Sequence, residues 1–534
     1  LGRGVKRQTA REKAKDCFKK KIHLIMRKAS YWLAAMVGLT LILSACSSEE
    51  DINPDNRNLK HITFTAGQSQ TRTIIDGTDA TQINWEAGET ISILDGTSIT
   101  RSFTLSSGAG KPEGTFEGMA KEESSYTAVY PYQEKGLKLN GNSVEGAWLD
   151  SVQNATAGTF DPKANLMMAR TKGEDKILQF HNMTAFVKVT PQMDCEQITI
   201  VSADSTVGLA GTMTMTLNED GTVETKVTDN ASHQVSLTGD IKAGQTYYIA
   251  IAPAALKGGI RKDGIRMGIT TADGKHYYKD ASKLEAFTAN KVLNLGSISV
   301  GEKNWLPYVT FSAEEAQEVM LDDSRHYIIN SMDYSTDYGK HWSHFSTDQL
   351  YAFGKTTRLM LRGNNPNGTA KSNAGVYSKF EFGEKQTKVA CSGDIRTLVK
   401  KEDYKNAATQ DVYFTRLFEG CTQLTSAPEL QATELAAYCY AWMFHGCTSL
   451  TQAPLLPAKE LKAHCYEYMF MGCEALTSVT MLATSGFDAT ECLYWWLAGA
   501  GTNGSTVTIA SGMSSEPKLT SEISNYDWLY KEQQ

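Results

Sequence analysis

Three phrases near the C-terminal end recur at one spacing and leave the chain few folds to choose from. "YFTRLFEGCTQLTSAPEL" begins at Tyr413, "CYAWMFHGCTSLTQAPLL" at Cys439 and "CYEYMFMGCEALTSVTML" at Cys465, the same step each time. A degraded fourth copy, "CLYWWLAGAGTNGS", starts at Cys492, one position later than that step would place it. A unit this short cannot bury an apolar face alone, so a fixed period in the twenties calls for copies stacked as a solenoid. Within a unit, Leu435, Cys439 and Met443 fall at i, i+4 and i+8, as do Leu461, Cys465 and Met469. That spacing predicts one apolar stripe on a short helix. Gly446 and Gly472 follow, where a helix ends in a left-handed residue. Cys447-Thr448-Ser449-Leu450 then leads into a strand. Ala453-Pro454, like Ala427-Pro428, turns the chain out of it, because proline cannot donate to a ladder.

The cysteines sit on two tracks of these repeats. Cys439, Cys465 and Cys492 lie on the helical stripe; Cys421, Cys447 and Cys473 lie at the turn into the strand. A metal site, a disulfide ladder, a redox centre and plain packing are the four readings. Zinc commonly takes cysteines separated by two to four residues, against seven here, and no C-x-x-C is present. The first unit has Tyr413 in place of Cys439, and the fourth has Ala500 in place of Cys473. A small buried hydrophobe tolerates such exchanges, and a covalent partner or ligand does not. Core thiols are therefore the expected role, with disulfides and a metal left open as alternatives.

Residues 1–25 are basic, lack a sustained apolar face and are expected to be an over-extended gene start. From Met26, "MRKASYWLAAMVGLTLILSAC" has a positive start at Arg27 and Lys28, an apolar run over 29–43 and small residues after it. This is the layout of an export signal over 26–45, and the run is too short for a spanning helix. Leu43-Ser44-Ala45-Cys46 resembles a lipobox, which implies cleavage before Cys46, its acylation and a membrane partner through that lipid. Residues 46–60, opening Ser-Ser-Glu-Glu-Asp after the cysteine, form an acidic tether. It resembles those of outer-face lipoproteins in anaerobic Gram-negative bacteria and implies an outer-membrane, cell-surface location. Taking away 1–45 removes 11 Lys/Arg and 2 Asp/Glu, so 42 basic and 58 acidic side chains remain and the net charge moves from −7 to −16. A body this acidic repels phosphate backbones, which excludes nucleic acid as a partner.

From about 61 to 300 the chain reads as short strands between polar turns: "HITFTA", "QINWEAGETISIL", "SYTAVYPY", "AFVKVTP", "QITIVSA", "TYYIAIAP" and "KVLNLGSISV". Stacked antiparallel sandwiches are expected, with a seam near Pro191 dividing a lobe over 61–190 from one over 191–302. Trp85, Tyr130, Tyr132, Phe180 and Phe186 are the candidate aromatic core. The ordered set "TRTIIDG", "INWEAGETISIL", "YTAVYPY", "FHNMTAFVKV" and "YYIAIAP" resembles fimbrillin-type proteins across roughly 240 residues. That resemblance implies a two-lobed surface lipoprotein. In such proteins a protease removes a leading segment, often after a basic residue, and a strand from the next subunit fills the groove. Arg72 is the nearest basic residue in a suitable loop. A stalk subunit donates its own C-terminal region, whereas more than 200 further residues follow here. A tip, accessory or stand-alone surface role is favoured.

Residues 303–395 form a further small β domain, with "YVTFSA", "HYIINSMDYS", "RLMLRG" and "YSKFEF" as strands. Inside it, Ser335-Thr336-Asp337-Tyr338-Gly339-Lys340-His341-Trp342 resembles an Asp-box, a hairpin device found in sialidases. One copy without an arginine cluster is expected to be a fold device. His341 and His344 lack companion ligands and are expected to be surface histidines. The repeats themselves, with the phrasing "GCTSLTQAP", resemble BspA-like surface leucine-rich repeats over 396–505, leaving a C-terminal cap over 506–534.

The expected fold is thus multidomain and mainly β: two fimbrillin-like β-sandwiches, a small β domain and a C-terminal α/β leucine-rich-repeat solenoid. There is no G-x-S-x-G, H-E-x-x-H or P-loop, so no enzyme, catalytic residue, cofactor or metal is expected. The exposed strand positions Thr425, Ser426, Thr451, Gln452, Thr477 and Ser478 are the candidate ligand face. The expected function is adhesion or recognition of a host or bacterial surface protein or glycan. The alternatives are a fimbrial accessory or tip subunit partnered with other fimbrial subunits, and a glycan-capturing lipoprotein.

Overall fold

The computed structural model describes residues 58–534 apart from 69–73, 76–78, 81–83, 98, 135, 254–263, 282–286, 325–326, 328, 330 and 373–374. The export signal, Cys46, the acidic tether as far as residue 57 and Arg72 lie outside the described residues, and Lys60, where the tether was expected to end, already begins a strand. The protein is multidomain and mainly β, built from several separate sheets.

Alternation in "HITFTA" turns Ile62, Phe64 and Ala66 inward from the strand Lys60–Gln68. This strand pairs in parallel with Ile177–Asn182 and antiparallel with Gly114–Ala120. Through Met167–Arg170, Thr127–Tyr130, Thr90–Leu94 and Thr100–Ser107 the sheet returns to its start, closing a seven-stranded barrel. The first lobe is therefore closed where an open two-sheet sandwich was expected. Its filling explains the closure: Trp85 stands edge-on to Phe116, Tyr130 and Phe180 at ring-centre distances of 5.0, 5.4 and 5.7 Å. One aromatic ring thereby packs against side chains from three of the barrel's strands. Tyr132, expected in this core, is half-buried and not part of it.

The second lobe does not begin at Pro191. The strand Ala185–Pro191 lies between Tyr247–Ile251 and Val292–Ile298. Ser143–Leu149 and Val152–Asn154, from within the expected first lobe, pair with Ala210–Leu217 and Gln234–Ile241. The two lobes interleave in sequence, and Phe186 belongs to the second core.

The third unit is tied to the second by the turn over Ser335 to Trp342. Asp337 Oδ1 accepts from Ser335 Oγ at 2.7 Å and from the His341 amide at 2.9 Å, while Trp342 Nε1 donates to Gly339 O at 3.0 Å. The turn holds Tyr338 at φ 55° and drives its ring, 1% exposed, against Gly268 of the second lobe. The Tyr338 hydroxyl lies 3.0 Å from Thr270 Oγ1, and Arg266 Nη1 donates to Tyr338 O at 3.0 Å.

No boundary near 395 separates the third unit from the repeats. Val389–Ser392 pairs in parallel with Leu424–Ser426, and one apolar core runs from Val309 through the repeats to Trp528. The parallel ladder continues Ser426 to Gln452 to Ser478, then through Ser478–Met481, Thr506–Ile509 and Leu529–Glu532.

The other side of each repeat is not α-helical, contrary to expectation; Pro517–Ser524 in the cap is the α-helix among the described residues. Every fourth residue instead takes a positive φ: Val412, Arg416 and Gly420, then Tyr438, Trp442 and Gly446, then His464, Tyr468 and Gly472. Odd-numbered amides of the first unit donate three residues back, as Thr415 does to Val412 O at 3.2 Å. Even-numbered ones reach the next unit: Val412, Phe414, Arg416, Phe418 and Gly420 donate to the carbonyls of Ala437, Cys439, Ala441, Met443 and His445. A left-handed non-glycine residue costs about 1–2 kcal/mol, and two per unit are outweighed by five such bonds at roughly 1 kcal/mol each. Stacked four-residue turns carry the same i, i+4, i+8 burial as a helix, which is why the spacing alone misdirected the expectation.

Candidate functional site

The six hydroxyl and amide side chains singled out from sequence fall on neighbouring positions of the parallel ladder. Threonine forms one column: the Thr451 hydroxyl donates to Thr425 O at 3.2 Å and that of Thr477 to Thr451 O at 3.0 Å. Thr425 Oγ1 begins the column by donating to Val389 O at 2.9 Å. Each donor proton is spent on the preceding rung, so the lone pairs are what the column offers a ligand. Ser426 is used more fully, donating to Cys391 O at 3.0 Å and accepting from the Cys391 amide at 3.1 Å. Thr451, Gln452 and Thr477 are exposed, and Thr425, Ser426 and Ser478 are half-buried.

The first rung of this face opens into a cleft of about 510 Å³ where the second lobe, the third unit and the repeats meet. Thr425 and Ser426 form part of one wall, with Glu196, His276, Trp305, Arg358 and Lys388 among the residues around them. Arg358 is 7% exposed; its Nη2 donates to Glu196 Oε1 at 3.0 Å, and its Nε has no hydrogen-bond partner among the described residues. An unpaired buried guanidinium N–H costs free energy until an acceptor meets it. His276 is buried between Thr270 Oγ1, 3.1 Å from Nδ1, and Ser392 Oγ, 3.2 Å from Nε2. Burial, and then the charge of Arg358, push its pKa down to about 3, so it stays a neutral hydrogen-bonding ring. The arrangement can bind by hydrogen bonds and charge. Nothing in the sequence pointed to Glu196, His276 or Arg358 here, since only the fold brings such distant positions of the chain beside Thr425.

All eight described cysteines are free and buried. Those at the turn donate into the rung before: Cys447 Sγ to Phe418 O at 3.1 Å and Cys473 Sγ to Phe444 O at 3.0 Å, with Cys421 Sγ on Phe380 O at 3.2 Å. Burial pushes the thiols of Cys421, Cys439 and Cys473 up to about 12 and that of Cys492 to about 11, and raises Cys447 and Cys465 as well. His341 Nδ1 sits 2.6 Å from Asp337 Oδ2, and His344 is exposed on a two-residue edge strand.

On the turn side, the left-handed residues stack in columns. The Arg416 guanidinium lies 4.1 Å from the Trp442 ring centre, Trp442 4.0 Å from Tyr468, and Tyr438 4.1 Å from His464. His464, Glu467 and Glu491 bring one imidazole nitrogen and two carboxylates together, with ligand atoms within 4.8 Å of one another. No helix among the described residues is long and apolar enough to cross a membrane.

No protein-family model matches the chain, and no curated protein matches it. Solved structures similar to it include fimbrial and cell-adhesion proteins of low identity. One is described as a "putative cell adhesion protein" from Bacteroides uniformis ATCC 8492: 19% identical, covering 46% of this chain and 94% of that one, TM-score 0.29. The tip fimbrial protein Mfa3 from Porphyromonas gingivalis is 12% identical over 42% of this chain and 81% of its own, TM-score 0.22. The fimbrial anchor protein Mfa2 from the same organism is 12% identical over 46% and 94%, TM-score 0.22.

Proposed function

We propose that this is a non-enzymatic, lipid-anchored protein of the outer cell surface. Cys46 carries the lipid, fimbrillin-like lobes carry the repeats, and the repeat ladder with its first-rung cleft recognises a surface protein or glycan. We read the repeats as a BspA-like leucine-rich array in which four-residue turns stand in for the helix. The observation that carries recognition is the meeting of Thr425 and Ser426 with the buried, incompletely paired Arg358 in one cleft. Acceptor lone pairs beside a guanidinium and the Trp305 ring suit a hydroxyl- and carboxylate-bearing ligand such as an acidic glycan. The test is binding of the whole mature chain to a glycan array and to extracted surface proteins, beside Arg358→Gln and a Thr451→Val/Thr477→Val double variant. Binding that is weakened at least tenfold by either supports the reading; binding indifferent to both refutes this site. Loss of labelled fatty acid in Cys46→Ala tests the anchor.

A second reading, a fimbrial accessory or tip subunit, is favoured by the place of the strand Lys60–Gln68 in the barrel. It is the first described strand and pairs in parallel with Ile177–Asn182, so cutting after Arg72 and releasing it would leave a groove with pockets vacated by Ile62, Phe64 and Ala66. Treatment with an arginine-specific protease should then yield SDS-resistant oligomers, absent in Arg72→Ala. Persistent monomer counts against a fibre.

A further inference from the structure

The third rung departs from the two before it. Position by position, Thr415 and Ala441 precede Glu467; the first two are completely buried and Glu467 is 9% exposed. A carboxylate stands where the first two units bury a small side chain, and the fourth unit has the exposed Tyr494 there. Beside it, Val412, Tyr438, His464 and Glu491 are successive members of the left-handed column, at φ 58°, 57°, 56° and 49°. Rung stacking therefore sets His464 directly against Glu491, and the fold rather than a chance side-chain pose holds them together. The His464 amide donates to Thr490 O at 2.8 Å, and the Tyr438 ring lies parallel to the imidazole at 4.1 Å and 7°. The imidazole is held in plane with Nδ1 2.9 Å from Glu467 Oε2 and 3.4 Å from Glu491 Oε2.

We propose that His464, Glu467 and Glu491 form a binding site for a borderline divalent transition metal, of the Zn²⁺ type. One imidazole nitrogen and two carboxylate oxygens are the ligands such an ion takes, and three protein ligands leave a coordination position open. Ligands about 2.0–2.2 Å from a tetrahedral zinc are roughly 3.4 Å apart, close to the 2.9 and 3.4 Å found here. Glu467 is buried and a second carboxylate, Glu491, meets the same imidazole nitrogen, so a dication offsets the crowding of two negative groups at one place. Ca²⁺ and Mg²⁺ prefer all-oxygen sets and are not expected to compete. The ion would join the third rung to the fourth, with the half-exposed Glu491 as its outer ligand.

The test is titration of the chelator-treated mature chain with Zn²⁺ by calorimetry, with melting followed in parallel. One equivalent should bind and raise Tm, while Ca²⁺ and Mg²⁺ do neither. Glu467→Ala installs the residue of the preceding rung and should fold, and Glu491→Gln changes a half-exposed side chain. Each should weaken Zn²⁺ binding at least tenfold while leaving the Tm in chelator close to that of the parent. Co²⁺ should give weak d–d bands without intense thiolate absorption, which separates this site from capture by the buried cysteines. Absence of binding, binding that survives both substitutions, or a thiolate spectrum would overturn the assignment.

Discussion

Tyr338 and Gly268 give the sharpest test of how the second lobe and the third unit are joined. A methyl built on Gly268 would lie 2.3 Å from Cγ and Cδ2 of the Tyr338 ring and 2.5 Å from Cε2. Gly268 lies in the strand Ile265–Thr271, where alanine is conformationally acceptable, so the cost of Gly268→Ala is the collision itself. Overpacking of this kind costs about 1–3 kcal/mol. Tyr338→Ala deletes a ring that is 1% exposed, at about 3–5 kcal/mol, within which the Thr270 hydrogen bond is roughly 1 kcal/mol. In the double variant the ring that the new methyl would strike is gone. Its loss should therefore match that of Tyr338→Ala alone, falling short of the sum of the singles by about 1–3 kcal/mol. A chain of several units does not unfold in one step, so the assay is hydrogen exchange by mass spectrometry over 265–271 and 332–345, which reads local opening. Losses that add to within about 0.5 kcal/mol would refute the plug between the two units.

His276 carries a pH prediction. Its folded pKa is lowered to about 3 from 6.5, so the unfolded chain binds the extra proton; the stability is complete above about 6.5 and is lost as pH falls from there toward 3. The slope approaches about 1.4 kcal/mol per pH unit, so parent and His276→Gln should diverge by roughly 2 kcal/mol between pH 6.5 and 4.5 in the local opening free energy that hydrogen exchange reads over 265–281. Alkylation should leave Cys421, Cys439, Cys447, Cys465 and Cys473 unmodified in the native chain and modify all five in denaturant without reductant; intact mass reads both, and resistance in denaturant would reveal disulfides. Gly446→Ala, at φ 74° with its nearest neighbour 3.8 Å away, should lower stability by only about 1–2 kcal/mol. Gly486→Ala, whose methyl would lie 2.4 Å from Leu461 O, should cost several kcal/mol more and show it in melting temperature and soluble yield.

Strands were legible wherever one face is buried. The alternation of Ile62, Phe64 and Ala66, or of Val187 and Val189, is imposed by the pleat and reads directly from sequence. Closure of the barrel was not, because it depends on where Trp85 sits among strands far apart in the chain. The interleaving of 143–154 with the second lobe escaped for a related reason: a strand's pattern says that it pairs and not with which partner. In the repeats the period and the buried positions were legible, while backbone conformation was not. The positive φ of Tyr438, Trp442 and His464 leaves no compositional trace, since glycine marks only the last left-handed position of each unit. The Thr column could be written from the repeat register. The cleft beside it needed Arg358 and Glu196, whose nearness to Thr425 is a property of the tertiary fold alone.

The amide pairing between repeats keeps one offset. Val412 reaches Ala437 and Tyr438 reaches Ala463 by the same step, and His464 reaches Thr490 by a step one longer, where the unit itself is one longer. Every junction thus poses the same geometric question and accepts the same answer. A copied unit spliced between Cys439 and Cys465 would meet familiar neighbours above and below, with no loop to redesign. Array length is then a parameter that gene duplication can alter in whole steps, each extending the molecule's reach by about 4.8 Å. A surface that lengthens without refolding its base can follow a changing target by counting rungs rather than by redesigning them.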